Sequence, residues 1–278
     1  MHADNKHRHQ VRPSMTYGVD SCSLVPLFVE AYFGDQRLGV GTAFPWLLLD
    51  QSLALITNWH VVSGRNHEND ECLHPMGGIP DHLRVHVPQN ERGDPPHIVS
   101  VPTTNLDGLP LWTEHPVLGR KVDVVALEFA PPSDLCIMPM NAMPMVSLKQ
   151  RIGMPIFILG FPFGRIGMGM PVWKQATFAS EPCLAPHLDQ PYLIVDSASR
   201  PGMSGSPVIQ RVHGNIELDD GRIGTIRNGD GAFNFVGVYS GRFHTEDASE
   251  AQLGRVWPRP LLEEILTSHL GSKLDRIS

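Results

Sequence analysis

With 278 residues the chain can bury one large core or two small ones. A formal net charge of -7 disfavours nonspecific nucleic-acid binding, and no apolar run is long enough for a membrane-spanning helix. The 26 Gly and 25 Pro are scattered rather than clustered, the pattern of short strands between many turns, and so of an all-β barrel or sandwich.

In chain order, residues 1–20 read as a disordered tail, rich in His and charge and without the apolar core of a signal peptide. Apolar, β-prone runs then predict strands over Leu24–Tyr32, Leu47–Ile56, Leu83–Val87, Ile156–Leu159, Tyr192–Val195 and Phe233–Val238. One helix is predicted over Pro260–Gly271, where Leu262, Ile265, Leu266 and Leu270 recur at helical spacing and Gly271 stops the helix. Cys22, Cys72, Cys136 and Cys183 form no close pairs, and with no export signal they are expected as thiols in the cytoplasm.

Cys72, His74, His82, His86 and His97 raise the question of metal. They lack the tight paired spacing of zinc sites, and His82 and His86 lie in a strand-like alternation where residues four apart do not converge. No metal and no cofactor is expected.

The segment Ser199-Arg200-Pro201-Gly202-Met203-Ser204-Gly205-Ser206-Pro207-Val208 places a hydroxyl inside a turn of small residues. Gly202 frees the backbone conformation and clears the approach to Ser204. The N–H groups of Gly202 and Ser204 are then able to share one hollow for an oxyanion. A Ser hydroxyl needs a base and an orienter. His60, in Leu55-Ile56-Thr57-Asn58-Trp59-His60-Val61-Val62-Ser63-Gly64, is read as the base, delivered to a strand end and followed by turn chemistry. Asp123 heads the apolar run Val122-Asp123-Val124-Val125-Ala126-Leu127 and is read as the orienter. A carboxylate there requires a partner, and an imidazole N–H is a suitable one.

These segments carry a family resemblance. Gly39-Val40-Gly41-Thr42-Ala43-Phe44 followed by Thr57-Asn58-Trp59-His60-Val61-Val62 resembles the His region of trypsin-like serine proteases, nearest the bacterial branch containing the high-temperature-requirement-A proteases. Asp123-Val124-Val125-Ala126-Leu127, Ile158-Leu159-Gly160-Phe161-Pro162-Phe163-Gly164, Asp196–Pro207 and Val236-Gly237-Val238-Tyr239-Ser240-Gly241 resemble that branch's later segments, in the same order. The resemblance runs from Leu38 to Leu266. It implies two six-stranded antiparallel β-barrels of the chymotrypsin type with the active site between them. The expected division is a first barrel over 21–130, a linker over 131–150, a second barrel over 151–258, and a helix and tail over 259–278. Two departures stand out: Ser206 replaces a second Gly, and Met203 precedes the nucleophile where digestive relatives carry an Asp that receives a new N-terminal ammonium. Activation by that kind of trimming is not expected.

The resemblance also places a primary-specificity pocket at Ala198 and Ser199, walled by Ser240, Gly241, Arg242 and the segment near Gly254. An Ala base implies a small-to-medium apolar side chain before the cut. Arg242, or Glu246, Asp247 and Glu250, would change that preference by reaching the pocket. The expected function is a cytoplasmic serine endopeptidase acting on protein or peptide, with an activating or inhibiting protein partner left open, and with no nucleic-acid or membrane partner. Two alternatives stay open. One is a restrained or partner-activated protease-fold module in bacterial signalling or antiphage defence. The other is an esterase, although Ser204 lacks the Gly-x-Ser-x-Gly elbow and the order His, Asp, Ser is not that of α/β-hydrolases.

Overall fold

A computed structural model of the chain describes residues 18–89, 94–164, 169–198, 200–226, 231–243 and 252–277, with side chains in the last helix to residue 273. Most of the expected tail, at 1–17, lies outside these. Asp20 caps a short 3-10 turn over Ser21–Leu24, its carboxylate accepting from Cys22 N at 2.9 Å.

The first half contributes β1 (Leu27–Phe33), β2 (Gln36–Leu47), β3 (Leu53–Thr57), α1 (Trp59–Ser63), β4 (His82–Val87), β5 (His97–Pro102), β6 (Trp112–Thr113) and β7 (Val125–Phe129). They form a seven-stranded sheet of order β5-β4-β1-β2-β3-β7-β6. The expected unit is therefore present as a curled sheet in which the two-residue β6 supplements the anticipated six strands. The second half contributes β8 (Pro155–Gly160), β9 (Val172–Phe178), β10 (Leu193–Asp196), β11 (Pro207–Val212), β12 (Gly214–Glu217), β13 (Ile223–Ile226), β14 (Ala232–Arg242) and β15 (Leu253–Pro258), followed by α2 (Arg259–Ile277). Six of its strands close a barrel, β10-β15-β14-β11-β8-β9, and β12-β13 stand apart as a two-stranded hairpin.

Side-chain alternation distributes these strands between separate cores. In β4, Leu83, Val85 and Val87 are buried and the residues between them are not, the period of two of a strand with one covered face. β3 is buried throughout because both of its faces are covered. Leu53 and Leu55 enter the core of the first unit, whereas Ala54 and Ile56 enter a core shared by both units. That shared core joins Phe44 and Trp46 of β2 to Phe235 of β14 and Trp257 of β15. Leu261, Leu262, Ile265 and Leu266 of α2 cover it.

Three local expectations differ from the structure. Leu47–Ile56 is not one strand: Asp50 accepts from the backbone N (3.0 Å) and hydroxyl (2.6 Å) of Ser52, and this Asp-Gln-Ser turn separates β2 from β3. His60 lies three residues past the end of β3, in the single-turn α1, which ends at Gly64 with φ of 65°. Gly271 does not stop α2, which continues to Ile277 while Lys273 reaches Asp50 at 3.0 Å. The stretch expected as a linker, 131–150, touches both units: Asn141 bonds both backbone groups of Leu47, at 2.8 and 2.7 Å, while Val146 N donates to Phe233 O at 2.9 Å and Leu148 packs with Ile216.

Ile265 is wholly buried in the shared core. Ile265→Ala should therefore cost about 2–5 kcal/mol in urea unfolding. A cost below about 1 kcal/mol would mean that α2 is peripheral to the fold.

Candidate active site

Asp123 has no exposed surface. An ionised carboxylate there needs several donors, and three converge on it. His60 Nδ1 lies 2.6 Å from Oδ2, the backbone N of His60 donates to Oδ1 at 2.9 Å, and Ser240 Oγ donates to Oδ2 at 2.5 Å. Asn58 Nδ2 also donates to the Asp123 carbonyl at 2.6 Å. Burial alone opposes the charged form. The pull of His60, its hydrogen bond, the nearby His67 and the Ser240 hydroxyl outweigh it and hold this carboxyl below the ordinary Asp range. With its Nδ1 proton directed to Asp123, His60 presents Nε2 as an acceptor.

The Ser204 turn requires glycine at two places. Gly202 has φ of 96° and Gly205 has φ of 83°. A Cβ at Gly202 would lie 2.3 Å from the Phe161 carbonyl, and one at Gly205 would lie 2.0 Å from the Thr42 carbonyl. Thr42 of β2 braces this turn across the boundary between the units. Its hydroxyl donates to Gly202 O at 2.8 Å and its backbone N donates to Ser204 O at 2.7 Å. Pro201 O accepts from Phe163 N at 2.6 Å, and Met203 O accepts from Ser206 N at 3.1 Å. In a planar trans peptide the following N–H points opposite to the carbonyl. The N–H groups of Gly202 and Ser204 thus face away from Phe163 N and Ser206 N, the donors that these carbonyls meet.

Gly41 lies between the Ser204 carbonyl and Val61, the residue after His60. A Cβ there would lie 3.2 Å from Val61, next to His60, and 3.3 Å from Ser204 O. A Cβ at Gly241 would come 3.8 Å from Ser204 Oγ. Among the described residues no hydrogen bond joins His60 to Ser204, a common state before substrate binds.

Of the expected pocket residues, Ala198 is half-buried just after β10, and Arg242 pairs with Gly254 in the β14–β15 ladder. Gly241 adjoins Ser204, whereas Ser240 is directed at Asp123. Ser199, Glu246, Asp247 and Glu250 lie outside the described residues. Tyr239, which the sequence reading did not single out, is fully buried against Gly254; a Cβ on that glycine would be 2.6 Å from its ring. Met203 is 1% exposed and sits in the core of the second barrel.

Two further features flank His60. A cavity of about 120 Å³ is lined by His60 together with Leu38, Val40, Val61, Leu73 and Pro80, among others. Elsewhere, Arg255 of β15 donates to His67 Nε2 at 3.1 Å and pairs with Glu68 at 2.6 Å. This ties the loop after α1 to the second barrel. Burial, the largest effect on His67, pushes its pKa down, which suits a neutral ring accepting from Arg255. His82 and His86 bind Asp81 (2.5 Å) and Glu30 (3.0 Å) respectively. Among the described residues no group of three His, Cys, Asp or Glu side chains is arranged to hold a metal ion.

A carboxyl with a lowered pKa stabilises the fold above its unfolded value, near 3.9, and that contribution disappears as pH falls through the folded value. The difference in urea-unfolding free energy between wild type and Asp123→Asn should therefore be larger at pH 7 than at pH 3. A difference that does not shrink on acidification would contradict the ionised, buried carboxylate.

Residues 41–216 match the family model described as a trypsin-like peptidase domain. A serine endoprotease from Yersinia pestis is similar in structure, with a TM-score of 0.50 and 14% identity over 88% of this chain and 62% of that one. So is the thermostable serine protease AL20 from an extremophilic microorganism, with a TM-score of 0.50 and 11% identity over 90% of this chain and 98% of that one. The HtrA-type protease AlgW, solved with a tripeptide, gives a TM-score of 0.47 and 16% identity over 88% of this chain and 60% of that one. This chain thus spans less than two thirds of the Yersinia and AlgW proteins. A search of curated proteins found no match. The family match covers well over half of the 278 residues, and this chain belongs to the trypsin-like peptidase family of serine proteases.

Proposed function

We propose that the protein is a serine endopeptidase in which Ser204 is the nucleophile, His60 the general base and Asp123 the group that orients it. The observation that carries this reading is the buried Asp123 carboxylate, bonded at 2.6 Å to His60 Nδ1. His60 Nε2 takes the proton of Ser204 Oγ as the hydroxyl attacks the substrate carbonyl. The N–H groups of Gly202 and Ser204 stabilise the oxyanion. The imidazolium, held by Asp123, returns the proton to the leaving amine, and water then hydrolyses the acyl-enzyme by the same relay.

The same reading assigns substrate contacts. Ala198 offers neither charge nor hydrogen bond at the pocket base, and the ring of Tyr239 fills the space against Gly254. A small, uncharged side chain before the cut fits that arrangement. The cavity beside His60 is suited to an apolar side chain on the leaving-group side, because His60 is the residue that meets the leaving amine.

A binding module on a protease fold has no need of a wholly buried, ionised carboxylate aimed at an imidazole, and the structure favours it less. Among the described residues no helix is long and apolar enough to cross a membrane. Cys22, Cys72, Cys136 and Cys183, widely spaced in sequence, suit thiols in a reducing compartment such as the cytoplasm.

Ser204→Ala and His60→Ala should each lower kcat on a cleaved peptide by about 10⁴- to 10⁶-fold with the thermal midpoint largely kept. Either variant retaining a tenth of the rate would remove its residue from the proposed machinery. Cleavage of a peptide library should favour Ala, Val or another small apolar residue before the cut, with loose discrimination, because one methylene is worth about 1–3 kcal/mol. Dominant Arg or Lys would overturn the assignment of Ala198 as the pocket base, and dominant Asp or Glu would implicate Arg242.

A further inference from the structure

His60 is fixed on one side by Asp123. The residue before it, Trp59, is fixed from the other. Trp59 is 5% exposed, and its indole N–H donates to Glu114 Oε1 at 2.7 Å. The same oxygen accepts from Trp112 Nε1 at 3.1 Å. An indole has only a donor, so loss of the carboxylate would leave the buried Trp59 N–H without an acceptor. α1 is a single turn, too short to hold its own geometry. The orientation of His60 therefore depends on what grips that turn from outside.

Glu114 is itself held in place. Its neighbours Thr113 and His115 both contact α2: Thr113 Oγ1 lies 2.8 Å from His269 Nδ1, and His115 Nε2 lies 3.1 Å from Glu264. His115 Nδ1 also accepts the backbone N–H groups of Val117 and Leu118, at 3.3 and 3.1 Å. Three consecutive residues are thus anchored beyond their own segment, and the middle one carries the carboxylate that reaches Trp59. Nine residues later the same stretch supplies Asp123.

We propose that Glu114 is a positioning residue for His60, acting through the Trp59 indole and seated by α2. This rests on the reading of His60 as general base. Trp59 orders the turn, and the turn aims the imidazole both at Asp123 and toward Ser204. Among the described residues Glu114 makes no hydrogen bond to the imidazole or to Ser204, so its effect passes through the turn.

The test uses the full chain and four variants: Glu114→Ala, Glu114→Gln, Trp59→Phe and the Glu114→Ala/Trp59→Phe double. Steady-state kinetics on one peptide, corrected for the concentration of titratable active sites, are paired with the proton NMR signal of His60 Nδ1–H. Glu114→Ala should lower kcat by about 10- to 100-fold with KM within about twofold, the scale of a small misplacement of a reacting group. Its Nδ1–H signal should broaden or shift. Glu114→Gln keeps a carbonyl oxygen for both indoles and should restore kcat and the signal. Trp59→Phe should match Glu114→Ala, and the double variant should be no worse than either single. An unchanged kcat and an unchanged Nδ1–H signal in Glu114→Ala would overturn the proposal, as would a loss explained wholly by fewer titratable sites. Should wild type and Ser204→Ala turn over peptide equally, the reading of the site fails, and the Nδ1–H signal still decides the role of Glu114.

Discussion

A fully buried carboxylate is the constraint on which this architecture depends. Asp123 has no access to water, so every donor it needs must come from protein. His60 arrives from α1 of the first unit and Ser240 from β14 of the second, so the charge is satisfied only when both units are folded and docked. Removing one donor would leave a buried charge incompletely compensated, a larger penalty than the hydrogen bond itself is worth. The geometry around His60 is in this sense a consequence of burying Asp123.

The docking is achieved by two different kinds of contact. One is apolar: alternate residues of β2, β3 and β7 face a core completed by β14, β15 and α2. The other is polar and local. Thr42 grips the carbonyls of Gly202 and Ser204, and Thr57 Oγ1 holds the Thr42 carbonyl at 2.8 Å. Close approach explains the small residues there, since a side chain on Gly205 would strike Thr42 directly. Arg255 adds a further polar grip through His67 and Glu68, its guanidinium 4.3 Å from the centre of the Phe243 ring. Apolar burial supplies the bulk of the attraction, and the polar grips set register.

How far the site was legible in the sequence follows from how local each signal is. Ser204, His60 and Asp123 each sit in a segment whose neighbours announce a turn or a strand end, and their order completed the picture. Ser240 reads as a pocket wall from the sequence, and a serine within a strand of small residues does not reveal that its hydroxyl also reaches the buried Asp123. Tyr239 and Glu114 carry no local signal for a related reason: their contacts run across the fold, to Gly254 in one case and to Trp59 in the other. Among the elements, β4 and β8 followed from alternation or apolar runs. The Asp50-Gln51-Ser52 turn was hidden inside an apolar stretch, and Gly271 read as a stop although α2 continues past it. The exposed hairpin β12–β13 carries too little apolar patterning to be seen in advance.

The central claim is that both β-units converge to make one serine hydroxyl reactive. Treatment of the full-length protein with an alkyl fluorophosphonate, followed by intact mass and peptide mapping, tests it most directly. The account predicts one adduct per chain, on Ser204, formed rapidly in wild type and at least a hundredfold more slowly in Asp123→Asn and His60→Ala, an order of magnitude consistent with loss of the base or its orienter. An adduct on another residue, or labelling of Ser204 at an unchanged rate without His60, would contradict it.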